Sequence, residues 1–175
     1  MALPLFMDFE ASSLSIDSYP IEVAFSDEKG NIESYLIKPE ANWTDWSRIA
    51  EHDIHGISRE LLSKEGQTAE WVVGRMRGKL KGKTVYVDGG QYDEYWAERL
   101  FEYKGNTDRL PFRLGDFHEL LVSEFGLWTV MNNHILFDIK QRARKQVGKQ
   151  HRAHADTAYL MAVYREVKMK ATGGF

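Results

Sequence analysis

Residues 5–14 read LFMDFEASSL. Leu3, Leu5, Phe6 and Met7 form an apolar run that ends abruptly in Asp8-Phe9-Glu10, with small polar residues after it. The pattern fits a buried strand. Side chains alternate between the faces of a strand, so Asp8 and Glu10 point the same way, roughly 6–7 Å apart. Two carboxylates on one side of a buried strand end are costly unless positive charge sits between them. A divalent cation is the usual answer, because hard oxygen ligands suit magnesium and manganese. Taken alone, an Asp-x-Glu at a strand end is also what a solvated acidic turn looks like. The rest of the chain has to supply the partners.

The chain has 175 residues, enough for one domain with a single buried core. A hydrophobic share of 43% and 13% aromatics belong to a globular protein rather than a disordered one. With no cysteine there is no disulfide, thiolate nucleophile or zinc–thiolate site. Asp8 interrupts the first apolar run and no basic segment precedes it, which makes a poor secretory signal. No stretch reaches membrane-spanning length, so a cytoplasmic protein without membrane association is expected. The formal charge of −3 argues against bulk electrostatic capture of nucleic acid, but distribution matters more than the sum. One basic tract holds Arg75, Arg77, Lys79, Lys81 and Lys83. A second holds Lys140, Arg142, Arg144, Lys145, Lys149 and Arg152, and leads into a His/Asp cluster.

Working outward from the first strand, Tyr19–Phe25 and Ile32–Ile37 alternate and flank the turn Glu28-Lys29-Gly30-Asn31, which predicts a hairpin. Trp43 and Trp46 are read as packing residues, and Glu51–Ser58 (EHDIHGIS) as a loop. Ser58 caps a helix over Arg59–Lys64 that Gly66 ends, and Thr68 caps another through about Leu80. Lys83–Asp88 is a short β-rich run ending in an acid. Helical spacing follows over Tyr92–Tyr103. Phe112–Leu114 is a fifth strand, and Asp116 caps Phe117–Phe125, which Gly126 stops. Helices over Thr129–Val147 and Ala153–Lys168 complete the chain, with a frayed tail over 169–175. The order predicts one α/β domain over 1–175. Its mixed five-stranded sheet has one antiparallel strand, flanked by helices, with functional carboxylates gathered at the carboxyl ends of parallel strands.

Asp93 follows the Lys83–Asp88 strand at the start of the next helix, where it can stand beside Asp8 and Glu10. Asp88, at the strand end itself, competes for that role. In His151-Arg152-Ala153-His154-Ala155-Asp156, His151 and Asp156 lie five apart and would not share a helical face. They converge if His151 sits on the loop before the helix and Asp156 projects from its first turns. A loop histidine beside a metal-bound carboxylate has the pKa of a general base near neutrality.

The order D-x-E, D, H-x4-D resembles the DEDDh family of 3′–5′ exonucleases, the ribonuclease H-like proofreading and RNA-trimming enzymes. The motifs are FMDFEASSL, VYVDGGQYDEYWAERLF and HRAHADTAYL, and the loop EHDIHGIS resembles the histidine-glycine segment after the hairpin in many members. The match runs from about residue 3 to 166. The resemblance implies a ribonuclease H-like three-layer domain that releases nucleoside 5′-monophosphates from the 3′ end of single-stranded DNA or RNA. It also implies two Mg2+ or Mn2+ ions. Asp8, Glu10 and Asp156 would hold one; Asp8 would share the second with Asp93, and His151 would take a proton from the attacking water. Leu14 occupies the place of an apolar wedge against the terminal base, with His55 and Ile57 lining the same pocket. Ser12-Ser13 stand where threonine-glycine is usual at the nucleotide, and Asp88-Gly89 where many members have histidine-asparagine. Several members form homodimers, for which the aromatic Tyr92–Tyr103 helix is a candidate surface.

Two other readings compete. Asp8 and Glu10 could serve as acid and base on a glycosidic bond, which leaves Asp93, His151 and Asp156 without a role. A nucleic-acid-binding module could use the same fold without cleavage, and its mark would be loss of a metal carboxylate.

Overall fold

A computed structural model describes residues 2–105, 109–126, 133–148 and 151–172. The first strand, β1 (Leu5–Ala11), lies inside a six-stranded sheet and sets two cores at once. Leu5, Met7, Phe9 and Ala11 face one side, and Phe6 faces the other. Period-two alternation therefore puts Asp8 and Glu10 on the Phe6 side.

β2 (Pro20–Ser26) runs antiparallel to β1 and to β3 (Ile32–Lys38), which makes the expected hairpin. A π-helical turn, Ala50–His55, comes next and ends on left-handed Gly56. It overlaps the Glu51–Ser58 segment that the sequence reads as loop; an element of six residues carries no periodic signal. Helix α1 (Arg59–Glu65) starts at Ser58, whose hydroxyl accepts from the Leu61 amide, and ends where the Gly66 amide donates to the Leu62 carbonyl. The two-residue strand β4 (Gln67–Thr68) pairs parallel with β3 and leads directly into α2 (Ala69–Leu80). This is the sixth strand that the five-strand expectation lacks. Two residues are too few to show alternation.

β5 (Thr84–Val87) pairs parallel with β1, and β6 (Arg113–Asp116) pairs parallel with β5, with α3 (Gln91–Phe101) between them. α4 (Phe117–Phe125) is capped by Asp116, whose carboxylate accepts from the Glu119 amide at 2.7 Å. α5 (Asn133–Val147) and α6 (Ala153–Ala171) close the described chain. Residues 129–132 of the expected long helix lie outside the described residues, and α6 continues past its expected end at Lys168. Among the described residues no helix is long and apolar enough to cross a membrane.

The sheet order is β4-β3-β2-β1-β5-β6, with β2 alone antiparallel. Helices cover both faces. Leu62, Val72, Met76, Leu80, Trp96 and Leu100 of α1, α2 and α3 pack on the Met7 side. Phe117, Leu120, Ile139, Leu160, Val163 and Tyr164 of α4, α5 and α6 pack on the Phe6 side. Phe6 meets Phe117 edge-on at 5.8 Å and Tyr164 at 5.7 Å. This is the three-layer α/β architecture, and α6 lies on the face that carries Asp8 and Glu10.

Much of the charge in the basic tracts is paired with acids. Arg75 and Lys79 both pair with Glu33, and Lys83 pairs with Glu28. In the second tract Arg142 holds Glu166, Arg144 holds Asp156 and Arg152 holds Glu22.

Candidate active site

Four segments meet at the carboxyl end of β1. β1 brings Asp8 and Glu10, and the β5 end brings Asp88 and Gly89. The first turn of α3 brings Asp93, and the turn into α6 brings His151 and Asp156. Together with Phe9, Tyr92, Trp96, Arg144 and Tyr159 they line one cleft of about 260 Å³. The parallel β1–β5 pairing explains the convergence, since both strands deliver their carboxyl ends to the same edge. Asp8, Glu10, Asp93, His151 and Asp156, singled out from the sequence, all border this cleft. So does Asp88, the competing acid.

The carboxyl groups repel one another in a poorly solvated space. Burial first, then Asp93, Glu10, Asp156 and Asp88, push Asp8 well above the usual carboxylate range. Burial, Asp156 and Glu22 push Glu10 up to about 8, with Arg152 opposing. Asp93 is pushed up to about 7 by burial and by Asp88, although hydrogen bonds from the Gly89 and Phe9 amides pull the other way. Such shifts mark a site that favours a cation or a proton.

Asp93 is 2% exposed and accepts from the Gly89 amide at 2.9 Å. The carboxylate approaches Gly89 closely: a Cβ there would stand 2.5 Å from Asp93 Oδ2. His151 has φ 58°, a left-handed turn, and its amide donates to Asp156 Oδ2 at 2.8 Å. The sharp turn answers the helical-phase problem, because His151 leaves the helix before α6 begins. Ligand atoms of Glu10, His151 and Asp156 all lie within 4.8 Å of one another. A donor set of carboxylate oxygens with one imidazole and no thiol fits a hard divalent cation.

Sequence reasoning missed two groups on the cleft wall. Arg144 donates to Asp156 Oδ1, and its guanidinium lies 3.7 Å from the centre of the Tyr159 ring. The basic tract signalled charge, but nothing in it singled out Arg144.

The residues expected to touch substrate differ widely in exposure. Leu14 is 67% exposed on the loop after β1. Ser12 is fully buried, where it bonds Asp45 and accepts from the Tyr19 amide. Ile57 is in the core, and its amide donates to His55 Nδ1 at 2.9 Å. His55 is buried, its Nε2 without a partner among the described residues, and burial pulls it down to about 4. None of the four is among the residues that line the cleft.

The fold is the three-layer α/β fold of the ribonuclease H-like type. Among solved structures the chain is similar to E. coli exonuclease I in complex with a 5cy-dT13 oligonucleotide, with TM-score 0.65 and 16% identity over 95% of this chain and 40% of that one. It is also similar to the zinc-ion-bound form of the E. coli exonuclease I–single-stranded DNA complex, with TM-score 0.62 and 13% identity over 97% and 41%. A moderately thermophilic exonuclease I from Methylocaldum szegediense gives TM-score 0.58 and 14% identity over 95% and 41%. The chain thus spans about 40% of the length of these neighbours. No protein-family model and no curated relative matches the sequence. At these identities the likeness is one of fold.

Proposed function

We propose that this domain is a metal-dependent 3′–5′ exonuclease of the DEDDh type, acting on single-stranded nucleic acid and releasing nucleoside 5′-monophosphates. One observation carries the reading. Asp8, Glu10, Asp88, Asp93 and Asp156 share a cleft with His151, and among its described lining residues Arg144 is the one arginine or lysine. Asp8, Glu10, Asp93 and Asp156 would hold two Mg2+ or Mn2+ ions. Ions held by these carboxylates would supply positive charge to the entering and leaving oxygens of an in-line displacement.

The chain's own residues do the rest. His151 accepts the proton of a water whose oxygen forms a bond to phosphorus as the bond from phosphorus to the 3′ oxygen breaks. Asp156 holds the His151 backbone through its amide, so the imidazole is presented from a fixed turn. The half-exposed Tyr92 on the cleft wall offers aromatic surface for a base. The single-stranded oligonucleotides bound to the exonuclease I neighbours support a single-stranded substrate.

The test is incubation of 5′-labelled and 3′-labelled oligonucleotides, matched DNA and RNA, with Mg2+ or Mn2+. Stepwise shortening from the 3′ end that stops with a chelator is the expected result. Tight retention without shortening would instead make this a binding module of the same fold.

A further inference from the structure

The second basic tract resolves into three arginines that each grip an acid, and one of those acids is Asp156. The Arg142–Glu166 pair joins α5 to α6, and Arg152–Glu22 anchors the start of α6. Only the Arg144–Asp156 pair stands in the cleft. It is well covered, with side chains 27% and 17% exposed. Both oxygens of Asp156 are thereby committed: Oδ1 accepts from Arg144, and Oδ2 accepts from the His151 amide at 2.8 Å.

A cation that takes Asp156 has to displace one of these donors. The His151 amide is fixed by a left-handed backbone turn, whereas the guanidinium ends a flexible side chain. Arg144 is the donor that yields. Its guanidinium carbon lies 3.7 Å from the centre of the ring of Tyr159, which is buried at 8% exposure. Displacement is therefore a short swing along the cleft wall rather than expulsion into solvent. A partly buried guanidinium that has lost its carboxylate needs another anion. The planar fork of arginine matches phosphate oxygens as well as it matches a carboxylate.

We propose that Arg144 exchanges partners: it holds Asp156 while no cation is bound, and grips a backbone phosphate of the substrate once a cation takes that carboxylate. This rests on the nuclease reading of the cleft. Arg144 is then both the resident counter-charge of the empty acid cluster and a substrate contact of the loaded one.

The experiment uses the full chain, stripped of metal, and two variants, Arg144→Met and Arg144→Lys. Mn2+ binding is read by electron paramagnetic resonance without nucleic acid. Affinity for a single-stranded oligonucleotide with phosphorothioate linkages is read in Mn2+, using DNA or RNA, whichever the wild type binds. Arg144→Met should bind Mn2+ about threefold to tenfold more tightly, because a competing cation is gone, and the oligonucleotide about tenfold more weakly. Arg144→Lys keeps the charge and loses the fork, so it should shift both in the same directions by less; it decides the matter if the methionine variant does not fold. Wild-type affinity for Mn2+, or for the oligonucleotide, in the variants overturns the exchange alone. A wild type that binds neither Mn2+ nor either oligonucleotide overturns the nuclease reading with it.

Discussion

Glu22 and Arg152 join the second strand to the last helix as a two-point ion pair, Oε2 to Nε at 3.0 Å and Oε1 to Nη2 at 2.8 Å. Glu22 is 3% exposed and also accepts from the Ala153 amide at 3.0 Å. The carboxylate therefore holds the backbone between His151 and Asp156, although it is not itself a cleft residue. Glu22→Ala strands a partly buried guanidinium and leaves that amide without its acceptor. A loss of about 1.5–3 kcal/mol in urea unfolding is expected. A loss below about 0.5 kcal/mol would show that the pair does not fix the turn.

Asp8 is pushed up by burial and by four other acids. Asp8→Asn should abolish hydrolysis while raising the metal-free melting temperature at pH 8. Relief of about 1 kcal/mol corresponds to about 2–4 °C in a chain of this size. Calorimetry on chelated protein checks it, and an unchanged or lower melting temperature would contradict the crowding argument.

The same crowding gives a pH dependence with a definite sign. Glu10 at about 8 and Asp93 at about 7 hold protons in the folded state that the unfolded chain releases nearer pH 4. The folded state thus binds more protons between those values, so metal-free stability falls as pH rises from about 4 to about 8. Glu33 acts in a separate window. Burial opposes its ionisation, but bonds from Arg75, Tyr35 and Lys79 bring it down to about 2, so its contribution is lost only as pH falls below about 4. Unfolding of chelated protein at pH 5.5 and 8.5 should show lower stability at 8.5, and Mn2+ should stabilise more at 8.5 than at 5.5. Equal stability at the two values would mean the acids do not share a field.

Much of this site was readable because it follows from strand alternation. Asp8 and Glu10 share a face for the same reason that Leu5, Met7 and Phe9 share the other, and caps at Ser58, Thr68 and Asp116 announced their helices. What stayed hidden lacks period or is remote in the chain. β4 is too short to alternate, and the Ala50–His55 turn carries no repeat. Glu22 and Arg152 meet across 130 positions. Ser12 and Ile57 look like substrate-side residues from their order after a motif, yet both lie inside. The register of β1 against β2 shifts between Glu10 and Ala11, so strand geometry cannot be extended from Glu10 to Ser12.

Gly89 links backbone to chemistry at Asp93. A Cβ at this position stands 2.5 Å from Asp93 Oδ2, and the carboxylate is the more mobile party. Gly89→Ala should therefore fold normally but swing Asp93 away from its acceptor position. Mn2+ affinity should fall about tenfold, with melting temperature nearly unchanged. Wild-type affinity in the alanine variant would remove Asp93 from the ligand set.

His151 allows a clean separation of backbone and side-chain roles. Its amide holds Asp156, while its imidazole is free to serve as the base. Asparagine tolerates the left-handed φ of 58° that this turn requires, so His151→Asn removes the imidazole and spares the turn. A base acts in the transition state, so kcat should fall by about 10²–10⁴-fold with oligonucleotide affinity nearly unchanged. Mn2+ affinity decides a second point. An unchanged value leaves His151 as a base alone, whereas a drop of about tenfold would count it with Glu10 and Asp156 among the ligands.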